Sequence, residues 1–168
     1  MAERPIVIFG DPVLREVSQP VEEFNQEVKD LVSDLTDTLK KARGLGLSAV
    51  QIGVLKRVFI VDLSAVDITA KPQVFINPEI IESDGETEYE EGCLSFPGIY
   101  QKITRASKIR VRALDLTGQP FELEVEGLAA RAIQHEYDHL EGKLFIDYLS
   151  PLAKTMLKGR LKKLSVAS

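Results

Sequence analysis

The chain owns two histidines, and both lie in Gln134-His135-Glu136-Tyr137-Asp138-His139. On an α-helix, residues four apart stand one above the other, so His135 and His139 can turn ring nitrogens toward one metal ion. Glu136 is rotated by about 100° from His135. It therefore flanks such an ion without competing for it, where a base for a metal-activated water belongs. A bare His-x-x-x-His spacing arises by chance. The full His-Glu-x-x-His pattern, made from every histidine available, is more specific and points to metal-assisted hydrolysis.

Two protein ligands are too few, because a catalytic ion normally takes three and keeps a further position for water. A third histidine six residues past the second would fall on Phe145, and no acidic residue occurs after Asp147. The remaining ligand is therefore expected upstream, where the sole cysteine, Cys93, is the outstanding candidate. A lone cysteine is often only a small buried hydrophobe; the neighbours of Cys93 argue otherwise.

The elements that must position these groups are read from periodicity. With 168 residues, 44% hydrophobic and 28% charged, the chain suits one domain with a substantial core. Asn25 caps a first helix whose Val28, Leu31, Val32, Leu35 and Leu39 form one apolar stripe, ending at Gly44. Strands are expected at 57–62, 73–77, 99–104, 108–114 and 120–125, the last two joined by a hairpin at Leu116-Thr117-Gly118-Gln119. An extended arm is read around Ile6-Val7-Ile8, a surface loop over 64–71, and an acidic extended segment from Pro78 to Glu90 turning at Asp84-Gly85. The histidine helix should run from Gly127 to Gly142 and be largely buried, with Leu128, Ala132, His135 and His139 on one face. A final basic helix is expected over 151–165, with Leu152, Met156, Leu157, Leu161 and Leu164 facing inward. Strands with helices grouped around them give an α+β fold, with antiparallel or mixed sheets packed around the metal-binding helix.

Composition narrows location and partners. A net charge of -5 argues against a general nucleic-acid binder, and no apolar run approaches the ~20 residues of a membrane span. The N-terminal residues lack a signal-peptide pattern, and one cysteine fits a reducing compartment, so a cytoplasmic location is expected. Charge is unevenly spread: beyond Asp147 stand Lys154, Lys158, Arg160, Lys162 and Lys163, with no carboxylate.

Three blocks follow one another in the order Gly44-Leu45-Gly46-Leu47-Ser48-Ala49-Val50-Gln51, Glu91-Gly92-Cys93-Leu94-Ser95 and Gln134 to His139. They resemble the motifs Gly-x-Gly-Leu-Ala-Ala-x-Gln, Glu-Gly-Cys-Leu-Ser and Gln-His-Glu-x-Asp-His of the peptide deformylases. Asp11-Pro12-x-Leu14-Arg15 and Asn77-Pro78 extend the resemblance along essentially the whole chain. The one departure within a motif is Ser48, where the family usually has alanine; a tuning of loop rigidity is the expected effect. Gly92 lets the backbone turn toward the helix, and Pro97 should end any strand there.

The resemblance implies removal of the formyl group from the N-terminal formylmethionine of new polypeptides, releasing formate. It implies a metal held by Cys93, His135 and His139, with Glu136 moving the proton. Oxyanion donors would be the Gln51 amide and the Leu94 main-chain N–H. Gly46, and Leu45 beside it, would hydrogen-bond the peptide backbone. Leu45, Leu128 and Ala132 would line the methionine pocket, with the stem of Arg131 over it or, equally, Arg131 as a surface charge. Asp138 and Arg105 are candidates for a pair behind the ligands, or for an ordinary surface ion pair. The ion is expected to be Fe²⁺, with Zn²⁺, Co²⁺ or Ni²⁺ also compatible with one sulfur and two nitrogens. The basic tail suggests docking on ribosomal RNA or, more plainly, a solvated face. Neither specific DNA binding nor a membrane is expected. The rival readings are a metallopeptidase, disfavoured by the missing downstream ligand and the Cys93 block, and a non-catalytic metal-binding or peptide-binding module, disfavoured because only three ligands are found and Glu136 would have no purpose.

Overall fold

The computed structural model describes residues 3–62 and 72–167. The loop expected over 64–71 lies outside the described residues. The fold is α+β, as expected. Strands β1 (Gly46–Ser48), β2 (Val58–Val61) and β3 (Gln73–Asp84) join β6 (Lys108–Leu114) and β7 (Pro120–Glu126) in a five-stranded sheet ordered β1-β2-β3-β6-β7. β4 (Thr87–Cys93) and β5 (Phe96–Arg105) form a separate hairpin. Among the described residues every strand pair is antiparallel, and the one parallel contact is an isolated bridge between Gln19 and Lys56.

The large sheet is covered on both sides by helices, and β2 shows how. Its Val58 and Ile60 pack with Val28, Leu35 and Leu39 of α1 (Gln26–Ala42), while its Phe59 and Val61 pack with Ala130, Ile133 and Leu140 of α2 (Gly127–Leu140). Strand alternation sends successive side chains to opposite faces. A strand covered on both faces must be apolar throughout, and Val58-Phe59-Ile60-Val61 is. Asn25 caps α1 by accepting from the Val28 N–H, and the helix ends on Arg43 in the left-handed region, one residue before Gly44. α2 places nine of its residues in the interior, including both histidines, so it is the central helix that its sequence implied.

A third cluster sits under the hairpin, where Phe96, Ile99 and Ile103 meet Leu14, Phe145 and Leu157. Leu157 comes from α3 (Pro151–Ala167), and Leu161 and Leu164 pack at its edge. Leu152 and Met156 do not face inward; they are 70% and 76% exposed. α3 lies along the surface on a narrow line of contact, so its apolar stripe is only partly used. Pro97 does not end a strand either. It sits near the start of β5 inside a register shift between Gly92 and Cys93, and a bulge tolerates the missing N–H.

Candidate active site

α2 lies across the large sheet with the β4–β5 hairpin against its other side, and Cys93 ends β4. The Cys93 Sγ stands 3.4 Å from the His139 Nε2, and one ligand atom from each of Cys93, His135 and His139 lies within 4.8 Å of the others. In a tetrahedral site with the usual Zn–S and Zn–N bonds, neighbouring donors stand roughly 3.3–3.6 Å apart. Sequence-distant sulfur and nitrogen atoms thus already sit close to the spacing an ion requires. The residues fit a metal.

The orientation of His135 is fixed from behind. Its Nδ1 lies 2.9 Å from the Glu91 Oε1, which leaves Nε2 for the ion. Glu91 in turn accepts from Arg105 through both oxygens and from Arg131, and Arg105 also reaches Asp138 Oδ2 at 2.9 Å. The Tyr148 hydroxyl donates to that same Asp138 oxygen at 2.7 Å. Burial works against an ionised Glu91, but hydrogen bonds from His135 and Arg105, with their charges, outweigh it and hold the carboxyl at about 2.

Arg131 is therefore no surface charge. It is 4% exposed, and it donates to Glu91 and to the carbonyls of Ile103 and Thr87, tying α2 to the hairpin. Arg105 and Asp138 form a buried pair rather than a surface one. Glu91 is the site residue that the sequence analysis misses, although it stands in the Glu91-Gly92-Cys93-Leu94-Ser95 block. Its signal was available, as a carboxylate two residues before the candidate ligand.

Burial works against a charged His135, yet Cys93, Glu91 and Glu136 outweigh it and raise its affinity for a proton well above the ordinary range. That same gathering of sulfur and carboxylate attracts a divalent cation, and proton and metal compete for one lone pair. His139 is held neutral by burial first and then by the charges of His135 and Arg105, which suits a ligand. Its Nδ1 is buried with no hydrogen-bond partner among the described residues. Burial also raises the Glu136 carboxyl above its ordinary range, against the pull of His135 and Ser48. A carboxylate moved toward neutrality exchanges protons more readily near physiological pH.

Cys93, His135 and Glu136 open on a cavity of about 670 Å³ that is also lined by Leu45, Gly46, Gln51, Leu94, Leu128, Arg131 and Ala132, among others. All the expected substrate-side residues border it. The Gln51 amide is fixed at both ends. Its Oε1 accepts from the Ser48 N–H at 3.0 Å, while its Nε2 donates to Ser95 Oγ at 3.1 Å and lies 3.7 Å from the Cys93 sulfur. Gly46 has a reason beyond peptide binding: a Cβ there would stand 2.8 Å from Glu136 Oε2. Gly92 makes no turn: it lies within β4 opposite Tyr100, and a Cβ there would press on the Tyr100 ring at 2.5 Å, so the ring lies over the bare Cα; the chain turns at Leu94-Ser95.

Comparison with known proteins gives a single answer. A family model for polypeptide deformylase matches residues 3–155. The chain is 47% identical to a peptide deformylase of Alkalilimnicola ehrlichii over 98% of its own length and 92% of that protein's, and 50% identical to peptide deformylase 2 of Xanthomonas axonopodis pv. citri over 97% and 96%. Among solved structures, the peptide deformylase of Legionella pneumophila superposes with a TM-score of 0.90 at 47% identity, covering 96% of this chain and 95% of that one. That of Thermus thermophilus gives 0.92 at 37% identity, covering 99% and 100%. With the fold, the donor set and these relatives in agreement, the chain belongs to the polypeptide deformylase family, enzymes that remove the N-formyl group from the N-terminal methionine of new polypeptides.

Proposed function

We propose that Cys93, His135 and His139 hold one divalent ion, with Glu136 as the proton-transfer group of the deformylation. The observation that carries this is the convergence of the three donors beside a buried Glu136, with Cys93, His135 and Glu136 on the wall of one cavity. An ion bound there supplies Lewis acidity, lowering the pKa of a water and polarising the formyl oxygen. Glu136 accepts the proton of the attacking water and returns it to the departing amine. The Gln51 amide and the Leu94 main-chain N–H donate to the oxyanion, and loss of one such donor costs on the order of 100-fold in rate.

The methionine side chain enters among Leu45, Leu128 and Ala132, while the Gly46 backbone holds the peptide. Arg131 contributes its stem, since its guanidinium is engaged beneath. The ion is Fe²⁺ in this reading, because one sulfur with two nitrogens accepts Fe²⁺ as well as Zn²⁺, Co²⁺ or Ni²⁺ and the family resemblance favours iron. Oxygen sensitivity at Cys93 or at the metal follows. The 168 residues act as one catalytic domain in the cytoplasm. Among the described residues, no helix is long and apolar enough to cross a membrane.

The test is anaerobic formate release from a formyl-Met peptide, with an unformylated control. The Glu136→Ala variant should lose at least about 1,000-fold in kcat at unchanged metal content. Peptide-bond cleavage in place of formate release would sink the assignment of the reaction.

The partner at the surface is ribosomal RNA. Lys154, Lys158, Arg160, Lys162 and Lys163 are all exposed on α3; Arg160 donates to the Gly98 carbonyl, and the charge of the four lysines is available to phosphates. Replacing Lys158, Lys162 and Lys163 by glutamate leaves Leu157, Leu161 and Leu164 in place. It should abolish co-sedimentation with ribosomes at low salt while formate release from short peptides persists. Unchanged co-sedimentation would remove this reading.

A further inference from the structure

Ser48 is the one position at which a motif departs from the family pattern, and its hydroxyl touches the group assigned to proton transfer. It is fully buried in β1, with Oγ 2.9 Å from Glu136 Oε1 and 3.0 Å from the Glu136 main-chain oxygen. The Ser48 N–H is already satisfied by Gln51, so the hydroxyl is the group left to serve α2. It has one proton for two acceptors, and a carboxylate is the stronger of these.

The other carboxylate oxygen is placed by contrast. Glu136 Oε2 lies against the bare Cα of Gly46, where a Cβ would come within 2.8 Å. Gly46 borders the cavity and Ser48 does not. Oε1 is thus tethered to the buried Ser48, and Oε2 is the oxygen beside Gly46, which borders the cavity. An alanine at 48 keeps the backbone and the packing but supplies no tether. The contact with Glu136 is one that the sequence alone did not locate.

We propose that Ser48 is a positioning residue, whose hydroxyl fixes the Glu136 carboxylate so that Oε2 is the oxygen that exchanges protons with the reacting water and amine. The role rests on the reading of Glu136 as the proton-transfer group. Because the family usually manages with alanine, the contribution is smaller than that of Glu136 itself.

The metal-loaded enzyme and its Ser48→Ala, Ser48→Thr and Glu136→Ala variants are compared for kcat, KM, metal content and melting temperature. Ser48→Ala should lower kcat about ten- to a hundredfold, as for loss of a charge-assisted hydrogen bond, with KM within about twofold and metal content unchanged. Ser48→Thr should recover most of the loss, since it keeps the hydroxyl. Crystal structures should show the Glu136 carboxylate turned or spread over two orientations in Ser48→Ala and single in the wild type. An unchanged kcat in Ser48→Ala, or a loss confined to KM, overturns the role of Ser48 while Glu136→Ala remains inactive. A Glu136→Ala variant that stays active overturns the assignment of Glu136 and the tether with it. Should Ser48→Thr fail to fold, an unmoved carboxylate in Ser48→Ala still refutes the proposal.

Discussion

Glu91 and Glu122 both accept hydrogen bonds from arginine, yet they stand in opposite surroundings. Glu91 is 6% exposed and faces Arg105, Arg131 and His135; Glu122 is 43% exposed and faces Arg112 directly across the β6–β7 ladder. The outer set continues with Glu124 between Lys108 and Arg110, all of them in contact with water. Burial changes what such a pair is for. Exposed pairs give up water for little, and their contribution is commonly 0–1 kcal/mol. Buried charges have lost their hydration, so each depends on its partners and removal of one strands the rest. Apart from Glu136, the charged residues buried among the described residues serve one task, holding His135 and α2 against the hairpin.

The sharpest way to break this contrast is Glu91→Gln, which keeps the shape and removes the charge. It leaves Arg105 and Arg131 buried with Asp138 as the remaining carboxylate, and it weakens the hold on His135 Nδ1. A loss of about 3–5 kcal/mol in unfolding free energy is expected, with metal affinity reduced roughly 10–100-fold. Acid sharpens the test. Because the folded Glu91 is held at about 2, below its ordinary 4.5, its contribution is complete above about 4.5 and is lost as pH falls toward 2. Urea titrations should therefore show a gap between wild type and variant at pH 7 that closes in that acid window. A gap that persists at pH 2, or none at pH 7, refutes the role given to this carboxylate.

The outcome at Glu91 also marks how far the sequence could be read. The helix bearing His135 and His139, five of the seven strands among the described residues, the hairpin at Thr117-Gly118 and the convergence of Cys93 on α2 were legible, whereas the short strand Gly46–Ser48 was not. Each legible feature is written in local spacing or in a motif that carries its own chemistry. What was not legible depends on the way separate elements face each other. Whether Arg131 points out or in is decided by the hairpin packing on α2, and periodicity on α2 alone leaves both open. Leu152 and Met156 continue the apolar stripe of α3, yet the core ends beneath Leu157, so a correct pattern overstated the burial. Pro97 reads as a terminator by itself and as a bulge residue once β4 is beside it. Ser48 looked like a trivial change because its partner, Glu136, lies 88 residues away.

An intermediate case lies at the edge of the buried network. The Tyr148 side chain is half exposed, and its hydroxyl donates to Asp138 while its ring lies beneath the Arg105 guanidinium, 5.1 Å away. Burial and then Asp138 disfavour its ionisation, pushing the phenol up to about 12. Tyr148→Phe keeps the ring and removes one hydrogen bond, so a loss of about 0.5–1.5 kcal/mol is expected. In an ultraviolet pH titration the variant should lack the component nearest pH 12. Loss as large as that of Glu91→Gln would mean that the network extends to the surface, and the contrast between interior and exterior would blur.

The smallest effect is expected at Glu122→Gln. Its carboxylate meets Arg112 at 3.2 Å between two side chains that each keep about half of their exposure, so water replaces the lost partner on both sides. Cross-strand position favours the pair, and like-charged neighbours along β7 oppose it: Glu122, Glu124 and Glu126 alternate on one face, and removing one relieves their repulsion. The two contributions nearly cancel, leaving a change within about 0.5 kcal/mol. Ionic strength separates them from any buried effect. At 1 M salt the Debye length is about 3 Å, so the Glu122→Gln and wild-type melting curves should converge there, whereas the deficit of Glu91→Gln should survive. A Glu122→Gln deficit above about 1 kcal/mol that resists salt would mean that the outer ladder carries structural load of its own. Burial would then no longer explain the difference between the two regions.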